Sequence, residues 1–156
     1  MFEYNKKGVS IVYIDESGFA YDMPRTHGYA ERGSRCFGTH DWNAKGRKNV
    51  IAALSGSSLI GCGIVEANVD TAVFNVWVEK ILMPDLPDNS VVVMDNASFH
   101  KSQKTKDLFH SNGHTLEYLP PYSPDLNPIE NKWAQAKSLR RKYSCDIFEL
   151  FLHHLP

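Results

Sequence analysis

The run SVVVMDNASFH, residues 90–100, decides how this chain folds. Three valines and a methionine in succession, after the turn-forming PDLPDN of residues 84–89, suit a strand buried on both faces. Helices covering a sheet on both sides produce such runs; a half-solvated sheet would alternate polar and apolar residues. The run stops at Asp95, so a carboxylate is expected where the buried strand ends.

Working outward, VSIVYI (9–14) has the β-branched and aromatic content of another strand and also stops at an aspartate, Asp15. Residues 18–38 mix glycine, arginine and aromatic residues in short runs, as one or two hairpins would, and NVIAALSGSSLIGCGIV (49–65) reads as two strands joined by SGSS. Between residues 70 and 83 the period changes. Val73, Phe74, Trp77, Val78, Ile81 and Leu82 recur at three- and four-residue spacing until Pro84, which predicts an amphipathic helix. Residues 102–111 read as a short polar helix, TLEYL (115–119) as a strand, residues 127–142 as the longest helix, and residues 145–156 as an apolar half-helix with a His-rich end. The order of elements predicts one α/β domain over residues 1–156, a mixed sheet with helices on its faces.

Composition bounds the function. A 156-residue chain with 42% hydrophobic and 22% charged residues can bury a core without disulfides or a structural metal. Cys36, Cys62 and Cys145 form no CxxC pair and read as buried thiols in a reducing compartment. No apolar run reaches the length of a membrane span, and MFEYNKKGVS does not resemble a signal peptide, so a cytoplasmic protein is expected. A net charge of −1 argues against purely electrostatic nucleic-acid binding. Local basic clusters nevertheless occur at Lys45, Arg47 and Lys48, at Lys101, Lys104 and Lys106, and over residues 137–142.

The two strand-end aspartates carry the chemistry. If their strands pair in parallel, about 4.8 Å apart, the carboxylates come together and need a shared proton or a cation. Hard oxygen donors favour Mg²⁺ or Mn²⁺ over Zn²⁺. The third carboxylate is in YLPPYSPDLNPIENKWAQAK (118–137), where Pro120, Pro121, Pro124 and Pro128 stiffen the approach to Glu130. Asn127, Pro128 and Glu130 also fit an N-cap, a first-turn proline and a capping-box glutamate, and the two readings of Glu130 are compatible. Trp133, three residues on, is expected to anchor the helix in the core beneath the site. Two metals about 3.5–4 Å apart in such a site would serve an in-line phosphodiester displacement.

VVVMDNASFH, YSPDLNPIE and the thirty-four residues between Asp95 and Glu130 together resemble the catalytic core of mariner-type and related bacterial insertion-sequence transposases, the DDE superfamily endonucleases. VYIDESGF is similar to the family's first-aspartate motif, and GYAERGSR and the segment 48–74 are similar in pattern, so the resemblance runs from about Val9 to about Arg141. It implies a ribonuclease H-like mixed five-stranded sheet flanked by helices, with Asp15, Asp95 and Glu130 as metal ligands. It further implies Mg²⁺ with Mn²⁺ as a substitute, as two ions, and cut-and-paste transposition. DNA is the implied partner, as transposon terminal repeats and a TA target, bound by a homodimer on paired ends. Family members carry N-terminal helix-turn-helix domains. Because the first strand lies within about ten residues of Met1, a separate N-terminal recognition half is expected, with a C-terminal end shorter than the family's.

Other residues carry weaker expectations. Glu16 should face away from Asp15 and act at most indirectly. Asn96 and His100 fit either turn chemistry or a role in orienting a ligand or touching DNA phosphate. Lys137, Arg140, Arg141 and Lys142 fit a solvated helix end that offsets the helix dipole and is compatible with DNA contact. His110 and His114 straddle the turn signal Asn112-Gly113, which argues against a zinc site, and His153-His154 should be solvated. Two further functions fit the triad: a stand-alone ribonuclease H-like nuclease, and a non-catalytic remnant that binds DNA or an intact transposase.

Overall fold

The structure, a computed structural model, describes residues 7–21, 32–33 and 46–155. Five strands form one mixed sheet in the order β3-β2-β1-β4-β5, with β1 Ile11–Ala20, β2 Arg47–Ser55, β3 Ser58–Val65, β4 Val91–Met94 and β5 Thr115–Tyr118. The pairs β1/β2 and β2/β3 are antiparallel, while β1/β4 and β4/β5 are parallel. All four β4 residues are buried, as its unbroken apolar run predicts for a central strand covered on both faces.

Helix α1, Thr71–Trp77, starts at Asp70, whose side chain accepts from Val73 N at 2.9 Å. It continues as a π-helical turn over Val78–Leu82 and a 3-10 turn over Met83–Asp85, so Pro84 stands within the final turn. Phe74, Trp77, Val78 and Leu82 are buried together against Val12, Ile14, Ile51, Val92, Met94 and Phe109, but Ile81 is exposed. Each buried anchor contributes about 1.5–3 kcal/mol, which stabilises a helix too short to persist alone. Helix α2, Gln103–Ser111, is capped by Ser102 and covers the same face.

The opposite face carries helix α3, Ile129–Tyr143, and helix α4, Ile147–Glu149, which runs on as a π-helical turn over Leu150–His154. Ile129, Trp133, Ala136, Ile147 and Leu150 pack there on Phe19, Val50, Ala52 and Leu54. Alternation along β2 therefore sends Val50, Ala52 and Leu54 to one layer and Ile51 and Ala53 to the other.

Several expectations need correction. Strand β1 does not end at Asp15; its antiparallel pairing with β2 carries it to Ala20. The hairpins expected within residues 18–38 therefore begin as a continuation of β1, and most of that segment, with Cys36 and most of GYAERGSR, lies outside the described residues. Lys45 lies there too. Cys145 is buried, but Cys62 is exposed on the edge strand β3, where a bulge breaks the register between Ile51 and Ala53. Gly61 occupies that bulge at φ +61°, with Leu82 so close that a Cβ would stand 3.2 Å from its side chain, and its carbonyl accepts from Trp77 Nε1 at 2.6 Å. His154 is half-buried and stacks on Tyr143 rather than standing free in solvent, whereas His153 is exposed.

Candidate active site

The parallel register of β1 and β4 aligns Tyr13 with Val93. Two residues further along each chain stand Asp15 and Asp95, the second just beyond the end of β4. The two residues thus take neighbouring positions at one edge of the cleft because their strands are parallel and in this register. A shift of one residue would send Asp15 to the other face.

Both aspartates line a cleft of about 500 Å³ with Glu130, Asn96, Ala97, Asn127 and the loop 119–124. Glu130 lies in the first turn of α3, its backbone N–H donating to Asn127 O at 3.1 Å. The capping box does not form. Asn127 N–H donates to Pro124 O at 3.0 Å, leaving no donor there for the Glu130 carboxylate, and Pro128 holds the cap position without a side-chain bond. Asn127 Oδ1 instead accepts a long bond from Ile129 N at 3.4 Å. Glu130 is exposed and faces the cleft.

The two aspartates sit in contrasting surroundings. Asp15 is 8% exposed, and its Oδ2 accepts from Trp133 Nε1 at 3.1 Å. Burial, followed by the negative charges of Glu16 and Glu130, pushes its carboxyl up to about 7; the Trp133 indole and a backbone N–H oppose this only in part. Asp95 is half-exposed, with His100 Nδ1 2.7 Å from its Oδ1 and Ala97 N donating to the same oxygen at 3.0 Å. Contact with His100, helped by the Ala97 amide and by Lys101, lowers its carboxyl below the usual range against the opposing effect of burial.

His100 has no exposed surface and packs between Phe74 and Phe99, with ring centroids 4.6 and 4.2 Å away. Its Nε2 lies 3.4 Å from Glu16 Oε2. Burial alone would push the ring down, but Asp95 and Glu16 outweigh it and hold the imidazole at about 9. Glu16 does face away from Asp15, onto the α1 side of the sheet, yet it reaches the Asp95 side of the cleft through this buried ring. Sequence reading missed that link because Glu16 and His100 are eighty-four positions apart.

The structure separates the remaining candidates. Asn96 lines the cleft. His100 has no exposed surface with which to meet a DNA phosphate; its ring lies against Asp95 and Glu16 instead. Arg140 is not on a solvated face: it is 6% exposed and donates to the carbonyls of Ala20, Tyr21 (3.1 Å) and Cys145 (3.3 Å), clamping the end of β1 to the turn after α3. Arg141 and Lys142 are exposed, and Lys137 places its ammonium 5.5 Å over the Phe19 ring; none of them lines the cleft. His114 turns inward to accept from Ser90 N at 3.2 Å while His110 is exposed, so these two do not form a pair.

Three carboxylates line one cleft, one of them raised to about 7 by burial and then by the charges of Glu16 and Glu130. Carboxylate oxygens are the donor type that suits a hard divalent cation. Among the described residues, no three such side chains are yet drawn close enough to hold an ion as they stand.

The sequence matches the model of the DDE superfamily endonucleases over residues 10–148. The chain belongs to that family. Its fold agrees, since this DDE endonuclease superposes on the Mos1 strand transfer complex with a TM-score of 0.68 at 20% identity, covering 88% of this chain and 44% of that one. Against the Mos1 mariner paired end complex with Mn the TM-score is 0.67 at 19% identity, covering 90% and 45%. An uncharacterized protein y4pE/y4sA of Sinorhizobium fredii (strain NBRC 101917 / NGR234) is 35% identical over 74 residues, 47% of this chain and 53% of that protein. The Tc3 transposase of Caenorhabditis elegans is 50% identical over 40 residues, 26% of this chain and 12% of that protein. The DDE endonuclease thus spans about half or less of the proteins it matches. Among the described residues, no helix is long and apolar enough to cross a membrane.

Proposed function

We propose that this DDE endonuclease is the catalytic domain of a cut-and-paste DNA transposase, with Asp15, Asp95 and Glu130 as its catalytic, metal-holding residues. The observation that carries this is the lining of one open cleft by all three carboxylates, with no basic side chain among its described lining residues. Bound Mg²⁺ or Mn²⁺, as two ions, would supply an activated attacking oxygen and charge stabilisation at the leaving oxygen. Asp95, kept ionised by His100 and the Ala97 amide, is ready as a ligand, whereas Asp15 must give up a proton to become one. Trp133 fixes the Asp15 carboxylate, and the proline-stiffened turn fixes the helix start from which Glu130 projects.

Chemistry in this cleft runs in two exchanges. Water attacks a phosphorus at the element's end, breaking the P–O3′ bond and freeing a 3′-hydroxyl. That hydroxyl attacks a phosphodiester of target DNA and displaces another 3′-oxygen, so the joining step conserves the number of phosphodiester bonds. The Mos1 structures are of paired transposon ends and of strand transfer, which supports DNA as partner and assembly of two copies on two ends. A TA target belongs to the same reading.

The test is nicking of supercoiled plasmid in Mn²⁺, together with joining of a 3′-hydroxyl oligonucleotide to it, for the parent and for Asp95→Asn. Nicking and joining by the parent alone are expected. Nicking without joining would favour the stand-alone nuclease; DNA binding with neither would favour the remnant. Equal activity in Asp95→Asn would falsify the assignment of the triad.

A further inference from the structure

On the rim of the same cleft Tyr122 stands wholly in solvent, at 103% relative exposure. Its backbone is at φ +55°, a left-handed conformation that glycine or asparagine adopts readily and a bulky side chain only at a cost. Relaxation is restricted: Pro120, Pro121 and Pro124 surround it, and Ser123 Oγ donates back to Pro121 O at 3.3 Å. Other tyrosines are engaged within the fold. Tyr118 donates to His100 O, Tyr143 stacks on His154, and Tyr21 lies beneath the Lys48 ammonium. The Tyr122 ring gains no such packing among the described residues, so folding obtains nothing in return for the strained backbone or the hydrated apolar face.

This inference rests on reading the cleft as a phosphodiester site. We propose that Tyr122 is a base-stacking residue, whose ring takes the face of an unpaired nucleotide base beside the phosphodiester held at Asp15, Asp95 and Glu130. A base inside a duplex has no free face to offer, so the substrate class is DNA unstacked or single-stranded next to the scissile phosphate. Every base has a π-face, so Tyr122 positions the strand without reading its sequence. A ring on a proline-stiffened loop also loses little freedom on binding.

The test uses the full chain in Ca²⁺ with a short single-stranded DNA carrying 2-aminopurine, whose fluorescence falls on stacking, and the same DNA fully paired as a control. Three proteins are compared: the parent, Tyr122→Phe and Tyr122→Ala. The parent and Tyr122→Phe should quench the probe and bind alike. Tyr122→Ala should lose the quench and weaken binding by about 5- to 150-fold, the span for one stacked base. The paired control should show little quench with any of the three. Ca²⁺-dependent binding unchanged in Tyr122→Ala would overturn this inference and leave the reading of the cleft intact, whereas no DNA binding by the parent would overturn both. Loss in Tyr122→Phe as well would assign the contact to the phenol hydroxyl. Loss of self-association in Tyr122→Ala with unchanged DNA binding would assign the ring to a second copy of the chain.

Discussion

The two walls of the cleft are built from the same residue type and behave in opposite ways. On the β1 wall Asp15 is buried over Trp133 with Glu16 and Glu130 nearby, and its carboxyl is raised to about 7. On the β4 wall Asp95 is half-exposed beside the buried imidazole of His100, and its carboxyl is lowered. One carboxyl therefore keeps its proton up to near neutral pH; the other stays ionised beside the His100 imidazole. Adjacent positions in one register thus acquire different chemistry from what lies behind each strand, Trp133 of α3 in one case and a ring from the loop after β4 in the other.

The largest effect should come from removing the ready charge. If Asp95 holds the cation as proposed, Asp95→Asn is expected to lower Mn²⁺-dependent nicking by about a thousandfold or more, because several kcal/mol of charge stabilisation would be lost with it. Single-turnover rates on supercoiled DNA would show it.

The β1 wall makes a prediction about pH. A carboxyl raised in the folded protein binds its proton more tightly than in the unfolded chain, so stability falls as pH rises between about 4 and about 7. Asp15→Asn removes this liability. The variant should match the parent below pH about 4 and exceed it above pH 7 by roughly 2 to 4 kcal/mol, read from denaturant midpoints. Mn²⁺ affinity of the parent should rise by about tenfold per pH unit up to pH about 7, because binding displaces the Asp15 proton. A flat affinity profile measured by calorimetry would mean that Asp15 is already ionised.

Behind the β1 wall, Arg140 ties Ala20 and Tyr21 to Cys145. Arg140→Ala should destabilise by about 2 to 4 kcal/mol, since a buried charged donor leaves several carbonyls unpaired. Arg141→Ala, one position on and exposed, should change stability by less than about 0.5 kcal/mol. Equal effects would remove the distinction drawn between these neighbours.

Much of the fold was legible because burial on both faces writes an unbroken apolar run, as in VVVM, and a covering helix writes a three-and-four pattern, as from Val73 to Leu82. Asp95 and Glu130 were legible for the same reason, since each directly follows a strongly marked boundary. The extent of β1 was not. Asp15, Glu16, Ser17 and Gly18 look like the end of a strand, and only pairing with β2 keeps the chain extended to Ala20. The role of Arg140 was hidden in a basic run whose other members are exposed or half-buried, and the strain at Tyr122 has no signature in composition.

By itself, then, the amino-acid sequence determined the element order, the family and the three carboxylates, because these depend on local pattern and spacing. Only the tertiary structure decided that Asp15 and Asp95 share a register, that Trp133 donates to Asp15, that Glu16 reaches the cleft side through His100, and that Arg140 is a clamp. Each of these joins residues far apart in the chain, and their protonation and packing depend on what burial and neighbouring charges supply once the sheet and its two helical layers come together.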